Sequence, residues 1–172
     1  MPIPVLALQI LWLNLVVDVL PAMSLSWEAG EKDIMRRSPR NPEQAIVTKE
    51  FLTKVLWNGA LIAVASLGVF GYGLYAGYDV ETSRTMAFST MAFGQLFHIL
   101  NVRKKNSAGI SKDLIKNKQL VLALASSFAL QVLAVYLPFF NRVMDTRPLS
   151  PYKWWIITLG SLLPTIIIQA VK

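Results

Sequence analysis

The chain has 172 residues, of which 54% are hydrophobic and only 16% are charged, and its 17 basic and 10 acidic side chains give a net charge of +7. A soluble globular domain carries about 25% charged residues, so the apolar excess here must face something other than water. Cysteine is absent, which excludes disulfides, thiolate metal sites and thiol nucleophiles. The basic residues cluster between apolar runs, as in membrane loops, and we expect no nucleic-acid partner.

Five apolar stretches meet or approach the roughly 20 residues that a membrane-spanning helix needs. In chain order they cover about 3–26, 51–76, 85–100, 119–137 and 154–171. The third is short and contains Ser, Thr, Gln and His. The first is not a secretory signal, because no basic region precedes it. The sequence therefore predicts an all-α protein, a polytopic membrane helix bundle in which residues 1–172 form one domain of five transmembrane helices.

The loops between the predicted spans indicate the orientation of the chain. Basic residues concentrate in the loop after the first span and in the loop after the third. They are Lys32, Arg36, Arg37, Arg40 and Lys49, followed by Arg103, Lys104, Lys105, Lys112, Lys116 and Lys118. The positive-inside rule places both loops in the cytoplasm, with the N-terminus outside and the C-terminus cytoplasmic. We expect a multi-pass integral protein of a bacterial plasma membrane or an organelle membrane, with the lipid bilayer as a partner.

The first predicted span contains the most informative polar residues. Asp18 is the only acidic residue inside the predicted spans, and an intramembrane carboxylate is a functional-site hypothesis by default. Asn14 lies four residues earlier, so both side chains share one face of a helix. Pro21 has no N–H and leaves the carbonyl of Val17 without its helical donor, which predicts a helix break. Carboxylate, amide and carbonyl oxygens are the ligands of hard cations such as calcium.

A structural interpretation of the same residues stays open. Asp18 can pair with a polar neighbour, and Pro21 can do no more than kink the helix. His98, in the third span, has no second His, Cys or carboxylate close to it in the sequence, and we expect it to be a hydrogen-bonded packing residue.

Four segments resemble P-type calcium pumps of the sarco/endoplasmic reticulum type and their bacterial relatives. Residues 9–22, QILWLNLVVDVLPA, resemble the sixth membrane helix of these pumps, and residues 33–40, DIMRRSPR, resemble the loop that follows it. Residues 95–101, QLFHILN, resemble the eighth helix, and residues 148–154, PLSPYKW, resemble the entry to the tenth. The resemblance covers essentially the whole chain and implies the sixth to tenth helices of such a pump.

The resemblance also implies roles for individual residues. Asn14 and Asp18 match positions that supply cation-coordinating oxygens, and Asp18 is the central carboxylate. Val17, which offers only its backbone carbonyl, stands where two-site pumps have threonine. Gln95, a weaker candidate ligand, stands where the reticulum pumps have glutamate. Both differences imply a transporter of one ion. Calcium is the favoured cation, because sodium/potassium-type pumps have aspartate at the position of Asn14, while manganese, sodium and protons stay open.

The catalytic parts of such a pump are not found in this sequence. It contains neither the D-K-T-G-T phosphorylation sequence of the family nor a G-x-x-x-x-G-K-[ST] phosphate loop. The resemblance implies that ATP and magnesium act only through the remaining N-terminal helices and cytoplasmic domains of the pump, which are the implied partners. We expect no cofactor in this chain, no ATP hydrolysis by it alone, and weak cation binding, since calcium takes about 6–8 oxygen ligands.

Two hypotheses of other kinds stay open beside this one. The chain can be a free-standing five-helix scaffold or regulatory protein derived from a pump. It can also be a small proton-coupled transporter that uses Asp18 as its proton carrier.

Overall fold

A computed structural model describes residues 2–26, 47–102 and 117–170, and every regular element in these ranges is a helix. The predicted loop at residues 33–40 and the basic cluster at residues 103–105 lie outside the described residues. Helix α1 is Ala7–Trp12, which continues through a π-helical segment, Leu13–Asp18, into α2, Val19–Ser26. The remaining helices are α3 (Lys49–Tyr75), α4 (Val80–Val102), α5 (Lys118–Tyr136), α6 (Pro138–Met144) and α7 (Pro151–Ala170).

The all-helical membrane architecture predicted from the sequence is confirmed. Four helical stretches are long and apolar enough to cross a membrane, namely Ala7–Ser26, Lys49–Tyr75, Lys118–Tyr136 and Pro151–Ala170. They correspond to the first, second, fourth and fifth predicted spans. The third lies within α4, whose 23 residues reach about 35 Å at the α-helical rise, enough for a bilayer core of about 30 Å. Its composition is more polar than that of the other four, and a five-span topology remains a prediction.

The polar composition of α4 follows from its place inside the bundle. This helix contacts α3, α5, α7 and the π-helical segment. Ser83, Thr85, Ser89 and Thr90 are all buried, and the two threonine hydroxyls donate to main-chain carbonyls one turn earlier in the same helix. A helix that faces protein on most sides does not need a lipid-facing apolar surface. Its average hydropathy therefore underestimates its ability to span a membrane.

One glycine brings α3 and α4 into close contact. Gly73 is buried, and a Cβ placed on it would lie 2.6 Å from Ser83 Oγ. Such small residues let two helix backbones approach closely. Gly77, four residues later, does not extend this contact, because it lies in the turn after α3 at a φ of 79°, a conformation that glycine adopts at low cost.

Aromatic rings join the central helices at the other main contact. Phe93 of α4 stacks on Phe128 of α5, with ring centroids 4.0 Å apart, and on Trp154 of α7, at 5.5 Å. Phe93 is buried. This cluster fixes α5 and α7 against α4, and α5 in turn packs against the first span.

Two ion pairs between separate segments lie at one end of the bundle. Arg84, at the start of α4, donates through Nη1 to Asp145 Oδ2 at 2.5 Å and through Nε to the carbonyl oxygen of Ile3 at 3.1 Å. Arg147 pairs with Glu81 close by. The segment before α1, the start of α4 and the connection from α6 to α7 therefore meet at the same end. The side of the membrane on which this end lies remains a prediction.

Candidate cation site

The candidate ligands of the first span lie together in its π-helical segment. Asn14, Val17 and Asp18 all fall within Leu13–Asp18. A π-helical turn bonds residue i to i+5, which widens the helix, and such turns often occur at functional sites. The segment ends three residues before Pro21, where the sequence predicts a helix break. The chain nevertheless stays helical from Ala7 to Ser26.

Main-chain hydrogen bonding is incomplete where this segment ends. The return from i→i+5 to i→i+4 bonding skips one carbonyl oxygen, which is left without a main-chain donor. Pro21 has no N–H, which removes a second donor from the same turn. The carbonyl of Val17 therefore lacks its helical donor, and a carbonyl of this kind can accept from a side chain or coordinate a cation.

The two sides of the segment differ sharply in burial. Leu13 and Val17 are buried in the core, at 2% and 0% exposure. Asn14 is exposed and Asp18 is half-buried. Leu15, next to Asn14, is 64% exposed, which suits a side chain that faces lipid. An amide that faces hydrocarbon is costly, so the side of the helix that presents Asn14 is suited to contact with a further polar protein segment.

Gln95 lies on α4, which contacts the π-helical segment. Its side chain is half-buried, and its Oε1 atom is buried with no hydrogen-bond partner among the described residues. A buried acceptor without a hydrogen-bond partner can bind a cation or a hydrogen-bond donor that lies next to it. His98, three residues later, is half-buried and already takes part in an interaction.

The candidate ligands on the described residues would supply only part of a calcium site. They include no group of three or more His, Cys, Asp or Glu side chains that could hold a metal ion. Asp18 is the one carboxylate of the first span. With Asn14, Gln95 and one or two carbonyls, it falls short of the roughly 6–8 oxygens that calcium takes, so a complete site needs ligands from other helices.

Sequence reasoning missed two buried residues of α5 that contact the first span. Ser127 Oγ donates to the main-chain oxygen of Val16 at 3.2 Å, and Gln131 Oε1 accepts from Trp12 Nε1 at 3.0 Å. Both α5 side chains are 0% exposed. Their spacing of four residues places them on one helix face, and this pattern is visible in the sequence.

Comparisons with known proteins give matches over most of this chain. The family described as "Cation transporting ATPase, C-terminus" matches residues 2–172. A calcium-transporting ATPase of Bacillus subtilis (strain 168) is 32% identical over 169 residues, which are 98% of this chain and 19% of that relative. The human calcium-transporting ATPase type 2C member 1 is 33% identical over 149 residues, 87% of this chain and 16% of the relative. The cation-transporting ATPase pma1 of Synechocystis is 28% identical over 170 residues, 95% of this chain and 19% of the relative. The chain thus spans less than a fifth of the length of these three relatives.

Proposed function

The chain belongs to the cation-transporting ATPase family, whose C-terminal region it matches, and from this premise we propose that it forms the C-terminal membrane part of an ATP-driven cation pump. Its part in transport is to supply some of the ligands of the transported cation. Asp18 provides the carboxylate, Asn14 the amide oxygen and the turn around Val17 one or more backbone carbonyls. Gln95 is a further, weaker ligand.

The observation that supports this proposal most is the position of Asp18. The carboxylate lies at the end of a π-helical segment, half-buried, next to the carbonyl of Val17, which lacks its helical donor because of Pro21. A carboxylate inside a membrane span is retained where it handles ions or protons. Carboxylate, amide and carbonyl oxygens at one level of a helix match the chemistry of a hard divalent cation.

Calcium is the cation that we propose. The ligand set is all oxygen, which suits calcium better than softer metals. Two of the relatives above are named as calcium-transporting ATPases. Val17 is fully buried and has no side-chain oxygen, so the helix offers few ligands beyond those of one ion, and we propose a single calcium site.

The remainder of a pump is the proposed partner of this chain. The side of the first span that presents Asn14 is not covered by described residues, and the cation cage is incomplete. N-terminal membrane helices that carry further oxygen ligands would cover this side of the first span and complete the ligand set. Cytoplasmic domains on the same partner would bind ATP and magnesium and drive the conformational change that releases the cation.

The proposal is tested by transport in a chimera in which this chain replaces the matching C-terminal region of the Bacillus subtilis relative. Inverted membrane vesicles that contain the chimera should take up radioactive calcium when ATP is added. Asp18→Asn should abolish the uptake while expression stays the same, because the amide lacks the charge that balances the cation. The matched control is Asp79→Asn, which alters a carboxylate outside the spans and should leave uptake unchanged.

Normal calcium uptake by the Asp18→Asn chimera would refute the assignment of Asp18. A second measurement addresses the incomplete cage. The purified chain alone, in detergent, should show no calcium binding at micromolar concentration. Binding at that level that Asp18→Asn removes would show instead that the site is self-contained, which contradicts the proposed division of ligands between this chain and a partner.

A further inference from the structure

Helix α5 contacts the π-helical segment at two points through buried polar side chains. Gln131 Oε1 accepts from the indole N–H of Trp12, the residue that precedes the segment. Ser127 Oγ donates to the carbonyl oxygen of Val16, in the middle of the segment. The contacts match in register, because both pairs of residues are four apart and the two helices run in opposite directions.

The hydrogen bond of Ser127 differs from those of most hydroxyls in the described helices. Thr85, Thr90 and Thr158 each donate to a carbonyl one turn earlier in their own helix, the usual arrangement for such residues. Ser127 instead donates to another helix. It reaches a carbonyl oxygen inside the π-helical segment, and so joins this segment to α5.

The carbonyl of Val16 lies between the two candidate ligands, because Asn14 precedes it by two residues and Asp18 follows it by two. All three residues belong to the π-helical segment. A hydrogen bond to this carbonyl therefore fastens to α5 the turn that carries both candidate ligands.

We infer that Ser127 is a positioning residue for the cation site, because its hydrogen bond to Val16 holds the π-helical turn that sets Asn14 and Asp18 relative to each other. Residues four apart lie nearly above one another in an α-helix, and the wider π-helical turn rotates one relative to the other. A change of register would therefore change how the amide and the carboxylate approach one cation. This role rests on the proposed function, and Ser127 itself coordinates nothing.

The hydrogen bond can be observed directly, because Val16–Val17 is the only Val–Val pair in the sequence. In the chain labelled with carbonyl-¹³C and ¹⁵N valine and placed in bilayers, only the carbonyl of Val16 is bonded to a labelled nitrogen. Solid-state NMR then isolates its resonance. Ser127→Ala should shift this resonance and Ser127→Thr should restore it. Ser126→Ala, one residue away on the same helix, should leave it in place.

The effect on cation binding is measured in the chimera defined above. Ser127→Ala should raise the calcium concentration for half-maximal uptake by about threefold to tenfold, the range that corresponds to one hydrogen bond between membrane helices, and Ser127→Thr should restore it. An unchanged Val16 resonance, or a shifted resonance with unchanged calcium affinity, would overturn the inference while Asp18→Asn still abolished uptake. Wild-type uptake by Asp18→Asn would instead remove the proposed function and, with it, this role.

Discussion

The contact between Gly73 and Ser83 gives the sharpest test of the fold. A methyl group on Gly73 would lie 2.6 Å from Ser83 Oγ, 2.9 Å from its Cβ and 3.2 Å from its Cα. Because the last two atoms belong to or adjoin the backbone, rotation of the serine side chain relieves only part of the overlap. Overpacking of this kind costs about 1–3 kcal/mol, and Gly73→Ala should lower the free energy of unfolding by about that amount relative to a control substitution.

The matched control is Gly68→Ala, in the same helix, where an added Cβ meets nothing within 4 Å. Both variants gain the same helical preference of alanine over glycine, about 0.5–1 kcal/mol, so their difference isolates the clash. Unfolding by SDS titration, followed by tryptophan fluorescence, measures both. Ser83→Ala should recover part of the loss in the double variant, since it removes the nearest atom, and Ser83 Oγ has no hydrogen-bond partner among the described residues. Equal stability of the two glycine variants would refute the close approach of α3 and α4.

Three further predictions concern the ends and centre of the bundle. Asp145→Asn should destabilise the folded chain by about 1–3 kcal/mol, because it leaves Arg84, whose side chain is 12% exposed, without its carboxylate; an unchanged midpoint of SDS unfolding would contradict this. Hydrogen bonds from the Thr82 hydroxyl and N–H hold the pKa of Asp79 below its ordinary value, so the ionised form stabilises the folded state above about pH 4 and this contribution disappears as the pH falls through the lowered pKa. Asp79→Ala should therefore lower the free energy of unfolding by about 1 kcal/mol at pH 7 and by progressively less in acid. A stability difference between variant and wild type that stays constant down to about pH 2 would refute the role of the charge. Phe93→Ala should cost about 3–5 kcal/mol, since this ring stacks on rings of two other helices, and a smaller loss in thermal unfolding in detergent would show that the cluster repacks.

The sequence predicted the helices better than it predicted their roles in packing. Four spans stand out because their lipid-facing residues make them apolar on average. The span within α4 is weak by the same measure, since its serines and threonines are buried against neighbouring helices. Gly73 and Gly77 form a small-residue pattern in sequence, yet only Gly73 lies at a helix contact, because α3 ends at Tyr75. Sequence spacing carries no information on where a helix stops between two such residues.

Part of the candidate site could be predicted from the sequence, because a polar residue stands out in an apolar span. A lone carboxylate in an apolar span is conspicuous, so Asp18 stands out as a candidate and its spacing adds Asn14, and their role in cation binding stays a prediction. The spacing of Ser127 and Gln131 is visible in the sequence but does not show their partners, because a serine in a membrane helix usually donates within its own helix. Its role depends on the carbonyl of Val16, 111 residues away in the chain.

The uncovered side of the first span agrees with the proposal that this chain carries only part of a cation site. On the buried side, α5 accepts a hydrogen bond from Trp12 and donates one to Val16, and Val17 packs into the core. The side that presents Asn14 combines this amide with exposed leucines, a composition suited neither to lipid throughout nor to water. A helix that brought further oxygens to this side would cover the amide and extend the cation cage in one step. Cation affinity and assembly with the partner should then be coupled, so that calcium strengthens the association of the two parts and Asp18→Asn removes that effect.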